Sequence, residues 1–282
     1  MLRPITGMPD TDLQTALRRK GARMAQDSRI SWTDNTWNPW QGCHKVGPGC
    51  AYCYMFAWQA RYGKPQDIVT RSATATFQLP LRWHRQLVEG IYQGTRHGDT
   101  VLVFTCSLSD FFIEEADPWR AEAWDIIRST PQLTYQILTK RPERIAACLP
   151  EDWGVGYPHV WLGASVENRR WLHRLDTLCQ VPAVVHFASF EPLLRELGDL
   201  NPWLPHLEWA IVGGESGSPR RPMDLAWLLH VVDQCQAIGL PQIADRMWGS
   251  GWIPVSPGPT VPRLCIFMLR MRVCSERRLI HM

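Results

Sequence analysis

The sequence lacks an apolar segment long enough to cross a membrane. Its most apolar late stretch, residues 264–273, is short and contains Arg270 and Arg272. The chain also begins without the basic and then apolar pattern of a secretory signal peptide. Its cysteines number nine, which is odd, so a disulfide framework is not expected. These absences predict a soluble protein of the reducing cytoplasm that has no membrane partner.

The sequence also lacks a strong excess of positive or negative charge, internal repeats and low-complexity linkers. The formal net charge is only +3, which permits a nucleic-acid partner but does not indicate one. A length of 282 residues is enough for one large domain with an ample core. We therefore predict an N-terminal extension over residues 1–28, a single α/β domain over 29–248, and a divergent, poorly ordered tail over 249–282.

Aromatic residues, in contrast, are abundant, since the chain has fifteen tryptophans. Three of them, Trp32, Trp37 and Trp40, lie just before the most distinctive motif of the sequence. Their rings suit either stacking on a nucleobase or packing of this segment against the domain. Because buried aromatic side chains are commonplace in protein cores, we favour packing.

The most distinctive motif is the cysteine loop, which we define as residues 42–54. It contains Cys43, Cys50 and Cys53 in the spacing C-x6-C-x2-C. A Pro-Gly pair between the first two cysteines is typical of a tight turn that would bring them together. The residues that follow have helical periodicity. We therefore expect Cys50 and Cys53 on one face of a first helical turn, where the helix N-terminus favours thiolates.

Three thiolates that face one point indicate an iron–sulfur cluster. A fully ligated cluster usually takes four cysteines, so one iron would stay open for another ligand. Two residues are candidates for a fourth protein ligand. Cys106 ends a predicted strand near the expected site, whereas His44 fits a solvated loop position better. A zinc ion with one of these two as its fourth ligand is the alternative to a cluster.

The remainder of the domain alternates short apolar runs with helical patterns. The predicted strands are Val101–Thr105, Thr134–Leu138, His159–Gly163, Ala183–Phe187 and Glu208–Val212. The predicted helices are a segment from the cysteine loop to about Gly63, then Thr76–Gly90, Pro118–Ser129, Pro142–Cys148, Arg169–Leu178 and Asp224–Ile238. Such alternation is typical of parallel βα units covered by helices. Five or six units predict an α/β fold with a partial (β/α)6 barrel, and a doubly wound sheet is the alternative.

The segments that follow the predicted strands are unusually polar. In parallel α/β folds, function gathers just after the carboxyl ends of the strands. Helix capping is a sufficient explanation for any single one of these residues. Five such segments together predict a polar pocket. In the last of them, the glycine pair Gly213-Gly214 lets a ligand approach backbone amides. The pocket residues we expect are Ser109, Asp110, Lys140, Arg141, Ser165, Glu167, Asn168, Glu191, Gly213, Gly214 and Glu215.

Seven motifs in order resemble the phage Gp37/Gp68 family, which is itself distantly similar to radical S-adenosylmethionine enzymes. They are Ile30–Pro39, the cysteine loop, Ser107–Phe112, Leu138–Arg144, Trp161–Asn168, Ser189–Leu194 and Val212–Gly217. The resemblance implies a [4Fe-4S] cluster on Cys43, Cys50 and Cys53, with S-adenosylmethionine on the open iron. It places Tyr52 at the aromatic position that contacts adenine. The first cysteine spacing is six residues, where the radical enzymes usually have three.

The resemblance thus predicts an enzyme in which the reduced cluster cleaves S-adenosylmethionine to a radical that abstracts hydrogen from a substrate. We expect Lys140, Arg141, Glu191 and Glu215 to hold the polar ends of cofactor and substrate, and the other pocket residues to bind the cofactor. The substrate would be a small molecule, a nucleotide or a nucleic acid, and an electron donor would be a partner. Two alternatives stay open: a metal- or cluster-stabilised binding module without catalysis, and a hydrolase or transferase that uses the strand-end carboxylates.

Overall fold

The computed structural model of the protein describes residues 25–244, except residues 66, 95, 99, 217 and 218. The predicted tail over 249–282 lies outside the described residues, as does most of the predicted extension over 1–28. Among the described residues, no helix combines the length and the apolar character needed to span a bilayer.

Seven strands of the described residues form one parallel sheet. They are β1 (Asn35–Trp37), β4 (Val101–Thr105), β5 (Leu133–Thr139), β6 (Val160–Ser165), β7 (Val185–Phe190), β8 (Trp209–Val212) and β9 (Gln242–Ala244), while β2 (Trp40–Gln41) and β3 (Thr70–Arg71) form a separate antiparallel pair. The five predicted strands are confirmed as β4 to β8. Their ends shift by at most three residues, as at β7, which ends at Phe190 instead of Phe187.

The strand order rises steadily along the chain, β1-β4-β5-β6-β7-β8-β9. A doubly wound sheet would reverse this order at a switch point. When the order does not reverse, every connection between consecutive parallel strands runs in the same direction across the sheet. Because these connections are right-handed, they place the helices on one face of the sheet. The predicted partial barrel is therefore confirmed, and β1 and β9 are additional edge strands that the sequence patterns did not predict.

Seven helices of the described residues follow or separate these strands. They are α1 (Tyr54–Arg61), α2 (Thr74–Phe77), α3 (Leu79–Val88), α4 (Asp117–Ser129), α5 (Ile145–Cys148), α6 (His173–Cys179) and α7 (Leu225–Ala237). The predicted helix Thr76–Gly90 is divided at Gln78, and Pro80 lies in the first turn of α3 as expected. The Asp224 carboxylate caps α7 by accepting from the amide of Ala226 at 2.9 Å.

Alternation along the strands gives the sheet two different buried faces. The outer face packs on the helices, as the contacts of the large core that includes Tyr135, Trp124 and Leu175 show. The inner face carries a smaller, largely aromatic cluster: Leu102, Phe104, Trp161, Val185, Phe187, Trp209 and Ile211, covered by Trp32. Further along the same strands the inner-face positions become polar, with Ser165 two residues beyond Gly163 and Ser189 two residues beyond Phe187.

The tryptophans before the cysteine loop are structural. Trp37 and Trp40 are completely buried. Their indole nitrogens donate to the carbonyl oxygens of Phe77 and Asp110, each at 3.0 Å. Trp32 packs on Phe104 with ring centroids 4.6 Å apart. The packing interpretation of these rings is confirmed.

Gly163 gives the inner face the room that the Phe187 ring occupies. A Cβ atom on Gly163 would lie 2.4 Å from Cζ of Phe187, which is wedged against Trp209. We expect Gly163→Ala to lower the free energy of unfolding by about 1–3 kcal/mol, as overpacking does. Urea denaturation measures this. In a Phe187→Leu background, Gly163→Ala should lower the free energy of unfolding by less. An equal decrease in both backgrounds would contradict the contact between Gly163 and the Phe187 ring.

Candidate active site

A cavity of about 580 Å³ lies at the carboxyl ends of the parallel strands. Residues that end or follow β4, β5, β6, β7 and β8 line one side, and the cysteine loop lines the other. Trp32, Phe104 and Leu138 from the inner-face cluster contribute apolar surface to it. Because strands of a parallel sheet release their loops at the same edge, residues far apart in sequence meet here.

The cysteine loop folds into two short turns. Gly47 is extended, with φ −174° and ψ 179°, and Pro48–Cys50 form a 3-10 turn. Cys53 then has a non-helical backbone, with φ −58° and ψ 127°, and stands directly before α1. The expectation that Cys50 and Cys53 share one helical turn is therefore wrong. The reason is that the 3-10 turn ends at Cys50, so the helix begins only after the third cysteine.

All three cysteine side chains of the loop nevertheless line the cavity as free thiols. Burial and, to a lesser extent, the nearby Asp110 carboxylate raise the pKa of the Cys43 thiol to about 12, although Arg141 opposes the shift. Burial also raises the pKa of Cys53, and Lys140 opposes that shift. Cys50 interacts electrostatically with both of the other thiols. The three sulfurs therefore form one group, with a cation beside two of them.

The first half of the cysteine loop is held by the segments after β4 and β5. The Gly42 amide donates to Leu108 O at 3.0 Å, and the Ser109 hydroxyl donates to Gly42 O at 2.6 Å. Arg141 donates through Nη2 to His44 O at 2.9 Å and through Nη1 to Cys43 Sγ at 3.6 Å. Ser109 and Arg141, both expected in the pocket, thus also fix the position of Cys43.

The second half of the loop rests on the segment after β6. A Cβ atom on Gly49 would lie 2.4 Å from Oε1 of Glu167, and one on Gly47 would lie 2.9 Å from the Trp171 ring. Glycine is needed at both positions because the loop lies directly on these side chains. The chain therefore approaches the carboxylate more closely at Gly49 than any larger residue would allow.

Two buried ion-pair groups support the site. Asp110 pairs with Arg141 at 3.1 Å, and their side chains are 6% and 9% exposed. Glu167 is completely buried and pairs through one oxygen with Arg174 and through the other with Lys140, each at 3.0 Å. Carboxylates buried this deeply are stable only when they are paired and hydrogen-bonded.

Most of the expected pocket residues do lie at the cavity. Those that line it are Tyr52, Ser109, Asp110, Lys140, Arg141, Ser165, Glu191, Gly214 and Glu215. Glu167, Asn168 and Gly213 lie behind the lining. Asn168 accepts a hydrogen bond from the Arg170 amide as a helix cap, and the Gly213 amide donates to Phe190 O. The Asn168 side chain and the Gly213 amide are therefore hydrogen-bonded within the fold. A cofactor-binding role for Glu167, Asn168 and Gly213 stays a prediction.

The two residues considered as further metal ligands also line the cavity. Cys106 is buried and interacts electrostatically with Cys43. Its φ of +63° is unusual for a residue other than glycine. His44 is 44% exposed and pairs through Nε2 with Glu115. Cys106 is therefore a buried thiol that interacts with Cys43, whereas His44 has a partner at the surface.

One residue that the sequence analysis did not single out connects the late strands to the cysteine loop. Arg221 reaches from the segment after β8 to Glu215 and to the cysteine loop, where its Nη2 donates to Pro48 O at 2.9 Å. The two partners in this last contact are 173 residues apart in sequence. The sequence offered no local signal for it, because a surface arginine after a glycine-rich segment has many uses.

Comparison with known proteins gives one match to a family and three to solved structures. A structure of spore photoproduct lyase complexed with dinucleoside spore photoproduct is 14% identical, with a TM-score of 0.43; the match covers 76% of this chain and 66% of that chain. A cysteine-to-alanine mutant of that lyase with the same ligand is 14% identical, with a TM-score of 0.48, and the coverage is 90% and 78%. No curated protein matches the chain.

The family match also covers most of the chain. The model of the family described as "Protein of unknown function (DUF5131)" matches residues 27–272, which include the cysteine loop and every described strand. None of the matches is to the Gp37/Gp68 family that the sequence motifs predicted. The chain belongs to the DUF5131 family.

Proposed function

We propose that this protein is a radical S-adenosylmethionine-type enzyme whose [4Fe-4S] cluster is held by Cys43, Cys50 and Cys53. The observation that carries the proposal is that three thiols of one loop face one cavity at the carboxyl ends of parallel strands. This edge is where α/β barrels bind ligands. A volume of about 580 Å³ lies within the usual range of ligand pockets.

We propose a cluster in preference to a single metal ion. Among the described residues, no three His, Cys, Asp or Glu side chains are placed to hold one metal ion. Sulfurs bound to one tetrahedral zinc at about 2.3 Å would lie about 3.8 Å apart. In a four-iron cluster each thiolate binds its own iron, so the sulfurs stand further apart. Three thiols with one open position fit this larger group, and metal analysis distinguishes it from a zinc ion.

The cations beside the thiols also suit a cluster with thiolate ligands. Arg141 already donates to Cys43 Sγ, and Lys140 interacts with Cys53. Hydrogen bonds to cluster sulfurs and nearby charge set the reduction potential of such groups. When bound, the cluster and S-adenosylmethionine supply one-electron chemistry that generates a hydrogen-abstracting radical. The two cations would stabilise the thiolates that hold the cluster.

The remaining lining residues bind and shield the reactants. Gly214 leaves the rim open to a backbone contact, and Tyr52, with 42% of its surface exposed, offers its ring beside Cys53. Ser165 and Glu191 present polar groups on the opposite wall. We propose that these residues hold the polar ends of cofactor and substrate. The apolar floor excludes water, which protects a reactive intermediate.

We propose a nucleotide or nucleic acid as the substrate and an electron-donor protein as a partner. The cavity lining combines the partly exposed rings of Tyr52 and Phe56 with an exposed arginine, Arg29. Aromatic rings stack on bases, and arginine pairs with phosphate. The same combination would suit other planar anions, and competition between nucleotides and aromatic carboxylates distinguishes them.

The test is anaerobic reconstitution with iron and sulfide, followed by reduction and an assay for 5′-deoxyadenosine from S-adenosylmethionine. We expect about four irons per chain, the charge-transfer absorbance of a cluster, and formation of the product. Zinc at one equivalent without labile sulfide would instead indicate a metal-stabilised binding module. A reconstituted protein that holds a cluster but forms no 5′-deoxyadenosine would contradict the catalytic part of the proposal.

A further inference from the structure

Arg221 joins the last part of the sheet to the cysteine loop. It follows β8, whereas the loop follows β1 and β2, so the contact joins an early and a late part of the chain. Its Nη2 donates to Pro48 O at 2.9 Å, and its guanidinium carbon lies 5.1 Å from the centroid of the Tyr52 ring. These two contacts fall on either side of Cys50, so Arg221 brackets the central cysteine of the motif.

Glu215 holds Arg221 in this position. One carboxylate oxygen accepts from the backbone amide of Arg221 at 2.9 Å and from its Nε at 3.0 Å, and the other accepts from Nη2. The Glu215 side chain is only 5% exposed, and that of Arg221 is 32% exposed. A bidentate pair of this kind fixes the plane of the guanidinium as well as its place. Both carboxylate oxygens of Glu215 are thus engaged by the arginine.

We propose that Glu215 and Arg221 form a positioning clamp that fixes Cys50 against the cavity. The chemical purpose of the clamp depends on the proposed function, because the clamp would set where one cluster ligand stands. Glu215 then acts through Arg221 and is a positioning residue.

Hydrogen exchange of the metal-free, full-length chain tests the clamp without any cofactor. Three amides of the loop, those of Cys50, Ala51 and Cys53, donate backbone hydrogen bonds within the loop. Their exchange rates therefore report how firmly the loop is held. Exchange in the buried strands β4 to β6, measured in the same samples, separates opening of the loop from opening of the whole fold.

We expect Arg221→Gln and Glu215→Gln each to speed exchange of the loop amides about tenfold relative to the strands, because hydrogen bonds to charged groups stabilise by at least this factor. Arg221→Lys should have a smaller effect, since lysine keeps the charge but lacks the planar fork. Arg220→Gln is the matched control, because Arg220 is the exposed neighbouring arginine. Unchanged loop exchange in Arg221→Gln, or an equal increase in Arg220→Gln, would overturn the clamp.

The reconstituted chain gives a second readout. Arg221→Gln leaves all three thiols in place, so we expect its iron content to match the wild type while the electron paramagnetic resonance spectrum of the reduced cluster shifts. A merely structural role would lower the melting temperature without altering that spectrum. If the wild type binds no cluster, the proposed function fails, and the exchange experiment still decides whether the clamp exists.

Discussion

Replacing Cys50 by serine should abolish retention of iron and labile sulfide by the reconstituted protein. We expect iron to fall from about four atoms per chain to a small fraction of one, because iron–sulfur clusters are held by thiolates. A serine hydroxyl is a far weaker acid than a thiol and does not replace it as a ligand. Metal analysis and the visible absorbance of the cluster measure the loss. The effect is large because only three cysteines of the loop line the cavity.

Two further cysteine variants make this experiment specific. Cys179→Ser is the matched control, since Cys179 lies in α6 and is half-buried away from the cavity lining. It should leave iron content unchanged. Cys106→Ala tests the buried thiol beside Cys43. Full iron retention would leave the three-thiol site with an open iron, whereas loss of iron would make Cys106 the fourth ligand. Iron retained by Cys50→Ser itself would contradict the cluster assignment.

The central strands were predictable because their own residues determine them. Val101–Thr105 is a run of five buried residues, and such short apolar runs form strands whatever their neighbours. Strand β1 was missed because Asn35, Thr36 and Trp37 have no apolar pattern. It forms through its partner β4, with Asn35 opposite Val103. The polar side chain of Asn35 is accommodated by a hydrogen bond to the Tyr92 hydroxyl at 2.9 Å. A contact with a residue so distant in sequence leaves no local pattern.

The residues of the candidate site could be predicted from the sequence, but it did not show which of them also hold the cysteine loop. The spacing of the cysteines and the polar strand ends indicated a pocket, and most of the expected residues do line it. The sequence did not show that Ser109, Arg141 and Glu215 are also tied to the cysteine loop, directly or through Arg221. A polar residue after a strand has the same appearance whether it binds a ligand or a loop. Only the close approach of Gly49 to Glu167 and the reach of Arg221 distinguish these uses.

Replacing Asp110 by asparagine should destabilise the protein more than any surface substitution. The Asp110 carboxylate is 6% exposed and accepts four hydrogen bonds, from the Phe112 amide, the Thr139 hydroxyl, the Lys140 amide and Arg141. An asparagine side chain accepts at one oxygen only, so its NH2 group would face two donors. Arg141, 9% exposed, would lose its ionic partner. We expect the free energy of unfolding to fall by about 3–5 kcal/mol, the usual cost of breaking a buried pair.

Urea denaturation of both the wild type and the variant measures this loss. Asp125→Asn is the control of identical chemistry, because Asp125 pairs with Arg128 on the exposed side of α4. That variant should unfold at the same urea concentration as the wild type. Asp110→Asn with Arg141→Met should regain part of the stability, since no unpaired buried charge remains. Its iron content should stay below that of the wild type, because the methionine cannot donate to Cys43 Sγ or His44 O. A double variant with restored stability and full iron content would show that Arg141 supports the fold without holding the cysteine loop.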